Sequence, residues 1–201
     1  MKPKIILASK SIIRNKLLNN TGINYINIAS DYDESDLQNA YLSMDLRLEL
    51  IKELVYRLAF EKAMSVSKNY KNDLIIGCDQ VLFFNKKIYL KPKNVEEASN
   101  QIKELSGQYH KLITSTVCIR NLEEVWYNIS IQEMKMRQLN DRYIQNYITD
   151  MKENIFSIIG GYEIEGKGIN LFEKIGNDLF SIQGISIIEL LDFLRRGGYI
   201  E

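Results

Sequence analysis

Cysteine, histidine and net charge are all scarce in this 201-residue chain. Its two cysteines, Cys78 and Cys118, lie in separate apolar runs, LIIGCD and ITSTVCIR. That placement argues against a disulfide framework and favours two small buried thiols over redox or metal-binding ones. With His110 as the one histidine, the chain lacks the clustered ligands that a structural zinc site requires. Lys+Arg and Asp+Glu each number 26, so the formal net charge is zero. The long-range field that gathers nucleic acid or an anionic membrane is therefore missing, and any phosphate binding has to be local. No stretch approaches the ~18 consecutive apolar residues of a membrane span. The apolar part of MKPKIILAS is about five residues, short of the roughly 7 to 15 of a signal peptide. That segment is expected to form a first strand, and a cytoplasmic location is the default expectation.

What is present is a core-forming chain. Hydrophobic residues make up 45% of it, enough for one domain over residues 1–201 or for two closely joined lobes. Residues 4–8 read as a strand ending at Ser9 and Ser11, followed by a helical pattern of Ile12, Ile13, Leu17 and Leu18. Residues 25–29 read as a second strand, and Asp31, Asp33, Glu34 and Asp36 as a loop. Leu46, Leu50, Leu54, Leu58 and Ala63 predict a long amphipathic helix over 45–68. The apolar run 73–77 predicts a buried strand with Asp79 just past its carboxyl end. Residues 81–89 predict a hairpin turning at Asn85 and Lys86, 95–105 a helix closed by Gly107, and 111–137 two strands meeting at Asn121 and Leu122. Residues 141–151 read as helix, the glycine-rich 158–180 as strand-like, and 185–196 as a closing helix capped by Gly197. The order is mixed α/β, with no repeat or linker.

Several residue types along this path suit phosphate chemistry. Ser9, Ser11 and Arg14 stand at the start of a helix, where free N–H groups and the helix dipole favour an anion, although serines there also serve as plain N-caps. Glu34 and Asp79, on separate elements, are hard oxygen donors suited to a divalent cation, and Lys62 and Lys91 could neutralise phosphate oxygens. The alternative for Glu34, Lys62 and Lys91 is a set of solvated charges. Asp79, at the tip of an apolar strand, stands where α/β proteins place ligands.

The joint pattern resembles the Maf family of nucleotide pyrophosphatases. LASKSIIRNKLL with DYDES, EKA at 61–63, IIGCDQV at 75–81, KP at 91–92, LSG at 105–107 and GGYEIEGKG at 160–168 occur in that family's order and cover nearly the whole chain. The resemblance implies a two-lobed, inosine-triphosphatase-like α/β fold with a central mixed, twisted sheet flanked by helices around a cleft. It implies hydrolysis of a nucleoside triphosphate to the monophosphate and pyrophosphate, and a homodimer. By the same resemblance Asp79 is the proton acceptor, Glu34 with Asp79 holds Mg²⁺ or Mn²⁺, and Ser9, Arg14, Lys62 and Lys91 grip phosphates. Ile13, Gln80 and Glu165 match the branch associated with 7-methyl-GTP, not the one acting on thymidine and uridine triphosphates. A carboxylate at 165 also suits the positive charge of 7-methylguanine, whereas its alternative is to decorate a glycine-rich turn.

The chain departs from the family pattern at Asn15, Leu90, Ser115, Ser157 and Ile158. Leu90 and Ser115 replace glycines, Asn15 a second basic residue, and Ser157 with Ile158 an acidic and basic pair. Weaker phosphate contact or altered turns, and slower turnover, are the expectation. A nucleotide-binding regulator of cell division with decayed catalysis is the competing reading.

Overall fold

The computed structural model describes residues 3–42 and 44–201; Met1 and Lys2, the basic start of the amino-terminal segment, lie outside the described residues, as does Ser43. In chain order the elements are β1 (Ile5–Leu7), α1 (Ile12–Asn20), β2 (Ile26–Asn27), α2 (Ser35–Leu42), α3 (Leu48–Ser67), β3 (Leu74–Phe84), β4 (Lys87–Tyr89), α4 (Val95–Leu105), β5 (Tyr109–Arg120), β6 (Glu123–Met136), α5 (Asp141–Met151), β7 (Phe172–Lys174), α6 (Leu179–Ile182) and α7 (Ile187–Arg196). The strands form one mixed sheet in the order β2-β1-β3-β5-β6-β7, with β4 on β3. β1 pairs in parallel with β2 and β3, and β4 antiparallel with β3. The chain divides into two compact units. One comprises the chain up to Gln80 with Ile113–Ser130 and Leu179–Glu201; the other comprises Val81–Leu112 and Ile131–Asp178.

In the first unit, strand alternation sorts the core onto two faces. Ile5, Leu7, Leu74, Ile76, Cys78 and Cys118 pack with Leu18 of α1 and with Ile187, Leu190 and Leu194 of α7. Ile6, Ala8, Ile75, Val117 and Ile119 pack with Ala59, Ala63 and Val66 of α3. Helices thus cover both faces, which explains why β3 is apolar at consecutive positions and not at every second one. Both thiols are free and buried, as expected. Gly77 lies on the α3 face: a Cβ there would come within 2.2 Å of the Ala59 carbonyl oxygen and 2.8 Å of the Ala63 Cβ. Glycine is what lets the α3 backbone approach β3 this closely.

The second unit carries the β3–β4 turn and helices α4 and α5, which pack on each other. Asn85 and Lys86 both have positive φ, the left-handed geometry of a two-residue hairpin turn. His110 is 2% exposed, its Nε2 lies 2.8 Å from the Tyr162 hydroxyl, and the rings of Tyr162 and Phe172 stand 5.6 and 5.9 Å away. Burial pushes its pKa down to about 4.

Four expectations need correction. Asp79 does not follow β3 but lies inside it, because the strand continues to Phe84. What ends near Asp79 is β1, which pairs only as far as Ile76 before Ala8 donates to the Ile76 carbonyl at 2.8 Å. The acidic loop becomes helix from Ser35 onward. The Asp33 carboxylate accepts from Ser35 N at 2.9 Å, and Gln38 N donates to the Glu34 carbonyl, so acidic residues serve as a helix start. The strand expected over 25–29 shrinks to Ile26–Asn27. Residues 158–180 are mostly short 3₁₀ turns, with only Phe172–Lys174 as strand, since Gly160 and Gly161 at φ 72° and 69° cannot continue an extended chain.

Two outcomes follow. Gly77→Ala should destabilise the protein by about 2–3 kcal/mol through overpacking against α3, read as a lowered urea midpoint; an unchanged midpoint would mean that α3 shifts outward at no cost. His110 has a folded pKa below its unfolded value, so its contribution is complete above pH ~6.5 and is lost as pH falls toward 4. Wild-type stability should drop by about 3 kcal/mol more than that of His110→Phe over that window in parallel denaturation curves.

Candidate functional site

The chemistry-bearing residues of the first unit meet where α3 crosses β3. Residues 75, 77 and 79 share the α3 face of the strand, and Lys62 projects from α3 one turn from Ala59 and beside Ala63. The Lys62 Nζ donates to Asp79 Oδ2 at 3.1 Å and to Glu34 Oε2 at 2.8 Å. Asp79 is 7% exposed, and its Oδ1 accepts from Gln80 N at 2.7 Å, so both carboxylate oxygens are hydrogen-bonded. Burial is the largest influence on Lys62 and alone would lower its pKa. The carboxylates of Asp79 and Glu34 outweigh it and hold the pKa above the ordinary lysine value. Lys62 is therefore an ammonium at any physiological pH.

Two carboxylates that converge on one cationic atom, from a strand and from a loop before a helix, fit a hard divalent cation of the Mg²⁺ or Mn²⁺ kind. Among the described residues no group of three or more His, Cys, Asp or Glu gathers to complete a coordination sphere. The remaining ligands of such an ion would have to come from outside this pair.

Arg14 is tied to the same strand. Its Nη1 donates to the Cys78 carbonyl at 2.8 Å and its Nε to the Gly184 carbonyl at 2.7 Å, so two of its donors serve the backbone. Ser9 is buried, and its Oγ accepts from Ser11 N at 3.1 Å; Ser11 caps α1 by accepting from Arg14 N at 3.3 Å. Ile13 is half-buried on α1, next to Ile12, which is 82% exposed. Gln80 faces away from Asp79, toward β5 and α6: its Nε2 donates to Thr114 Oγ1 at 2.9 Å and to the carbonyls of Ser181 and Ile182 at 3.0 and 2.9 Å. Glu34, Lys62, Asp79 and Gln80 are thus linked in one hydrogen-bonded set, and Arg14 holds the backbone of the same strand. Lys91 and Glu165 belong to the second unit, and both are exposed.

Thr114, Ser181 and Gly184 were not recognisable from sequence as part of this set. Their one signal was polar residues at alternate positions of a buried strand, Thr114 and Thr116, where a side chain must find a partner. At the departures from the family pattern, Ser115 lies inside β5 and Leu90 just after β4, and neither has the positive φ that favours glycine. Asn15 donates from Nδ2 to the Ser11 carbonyl at 2.9 Å, which braces α1.

Comparison with known proteins gives the family. A family model described as Maf-like protein matches residues 4–197. The 7-methyl-GTP pyrophosphatase of Brucella abortus biovar 1 (strain 9-941) is 37% identical over 196 residues, 98% of this chain and 97% of that protein. The 7-methyl-GTP pyrophosphatase of Rhizobium meliloti (strain 1021) is 35% identical over 201 residues, 100% of both chains. The nucleoside triphosphate pyrophosphatase of Bradyrhizobium diazoefficiens is 34% identical over 194 residues, 96% of this chain and 94% of that one.

Removing the shared cation tests the geometry. Lys62→Met leaves Glu34 and Asp79 facing one another, and should cost about 1–2 kcal/mol in denaturant unfolding, the Glu34 half being softened by solvent. Adding Glu34→Gln to Lys62→Met should restore part of that loss; a loss unaffected by the second change would mean that the two carboxylates do not share the ammonium.

Proposed function

The chain belongs to the Maf-like protein family, and on that premise we propose that this hydrolase cleaves a nucleoside triphosphate, 7-methyl-GTP by preference, to the monophosphate and pyrophosphate. The observation that carries the reading is the buried Asp79 carboxylate bridged through Lys62 to Glu34. In the reaction a water oxygen bonds to phosphorus, the anhydride P–O bond breaks, the water proton passes to Asp79, and pyrophosphate leaves. Glu34 and Asp79 would hold the divalent cation, which supplies charge stabilisation on phosphate oxygens. Asp79 stands beside its own supply of positive charge: when it takes the proton, the Lys62 ammonium loses one of its two counter-charges and can turn to the leaving phosphates. Family resemblance gives Ser9, Arg14 and Lys91 each a phosphate-binding role, and also suggests a homodimer.

The preference for 7-methyl-GTP draws support from the names of two relatives and from Ile13, Gln80 and Glu165. Glu165 offers a carboxylate to a base that carries positive charge. The role this assigns is house-cleaning of the nucleotide pool.

The test is pyrophosphate release with Mg²⁺ or Mn²⁺ from 7-methyl-GTP, UTP, CTP and TTP. Release should be strongest with 7-methyl-GTP, and Asp79→Asn should lower it by roughly 10²–10⁴-fold while triphosphate binding persists. Preference for TTP would discard the specificity reading but keep the hydrolase. Binding without release from any substrate would favour a regulator of cell division with lost catalysis.

A further inference from the structure

We propose that Thr114 is a positioning residue for the hydrolysis, acting through Gln80 to lock the backbone that carries Asp79 onto residues 181–184. The inference rests on the hydrolase reading above and deepens it. Asp79 and Gln80 are neighbours on β3 whose side chains leave opposite faces of the sheet, one toward Lys62 and the other toward Thr114. Gln80 therefore influences the reaction through the structure behind the strand, and not from the face that holds the carboxylate pair.

The link between them is direct. Asp79 Oδ1 accepts from the N–H of Gln80 at 2.7 Å, so that peptide group and the Lys62 ammonium on Oδ2 together orient the carboxylate. The peptide group is in turn held by the Gln80 side chain, whose Nε2 has three acceptors within 3.0 Å: Thr114 Oγ1, the Ser181 carbonyl and the Ile182 carbonyl. Two amide hydrogens serve three acceptors, so one is shared. The Thr114 hydroxyl accepts from Gln80 and donates to the Ser181 carbonyl at 2.7 Å. Because a carbonyl cannot donate, the direction of that proton is settled, and the hydroxyl fits as a two-way connector that valine cannot imitate. Thr114 is 1% exposed and Ser181 is fully buried, so water offers no substitute on that side.

A second tie closes the loop. Arg14 joins the Cys78 carbonyl to the Gly184 carbonyl, so the residues on both sides of Asp79 are fastened to one four-residue segment. Ser186 N donates to Thr116 Oγ1 at 3.2 Å and Ser181 Oγ lies 3.1 Å from Ser186 Oγ, which anchors that segment to β5 without using the reacting face.

Thr114→Val, checked for native circular dichroism, should lower kcat roughly 10- to 100-fold through misplacement of Asp79. KM should change much less, since the phosphate-gripping side chains are untouched. Thr114→Ser should recover most of the loss, and Thr114→Val combined with Gln80→Leu should be no slower than the slower single variant. Hydrogen exchange at the Gln80 side-chain amide, followed by NMR, reads the same latch without activity: protection in the wild type should fall in Thr114→Val, which keeps two of the three acceptors, and persist in Thr114→Ser. Unchanged protection in Thr114→Val, an equal rise in KM, or additive losses would overturn the proposal. A wild type that releases no pyrophosphate would remove the hydrolase reading and leave the latch to be judged by exchange alone. Thr114→Ala, which removes the same hydroxyl with a smaller side chain, carries the same kinetic expectation if Thr114→Val does not fold.

Discussion

The close approach of α3 to β3 at Gly77 is the constraint on which the rest of the site depends. With no Cβ at Gly77, the Ala59 carbonyl and Ala63 come against the strand, and Lys62 arrives within hydrogen-bonding distance of Asp79. Any larger residue would hold the helix away and separate the ammonium from the carboxylate. Glu34 then completes the cluster from outside the sheet, where α2 starts. The Lys62 ammonium is thus placed by a packing contact between apolar neighbours, which is why a short glycine–alanine interface matters as much as the charges themselves.

The sheet divides the labour by parity. Odd positions of β3 carry the charged face, with Gly77 making room and Asp79 meeting Lys62. Even positions carry a neutral, hydrogen-bonded face, in which Cys78 reaches Thr116 and Gln80 reaches Thr114 and α6. Every buried polar side chain of that second set has a partner, so it acts as a rigid backing and not as a strained one. Arg14 joins the two sets, because it holds the strand's backbone from the helix that begins beside Ser9 and Ser11.

Local pattern was enough for most elements. The hairpin turns at Asn85 and Asn121, the helices Val95–Leu105 and Asp141–Met151, and the burial of both cysteines were legible, because each follows from periodicity or turn chemistry within a few residues. Legibility failed where two signals competed. Asp33 and Glu34 looked like loop acids, but acids are also what a helix N-terminus attracts, and α2 formed there. The glycine-rich Ile158–Phe180 stretch looked strand-like, yet two left-handed glycines turned it. The apolar run before Asp79 suggested a strand that stopped, whereas it was the neighbouring β1 that stopped.

Residue types and their order determine the membership of the family, the α/β alternation and the supply of carboxylates, lysines and arginine from which the site is made, since these depend on chemistry carried by each residue and on short-range periodicity. Only the tertiary structure decides how that supply is used. It assigns Lys62 to two carboxylates at once, turns Gln80 to the face opposite Asp79, and sends the Arg14 guanidinium to carbonyls 64 and 170 residues away in the chain. Those choices are made by packing between distant segments, and in this chain the deciding one is the space left open at Gly77.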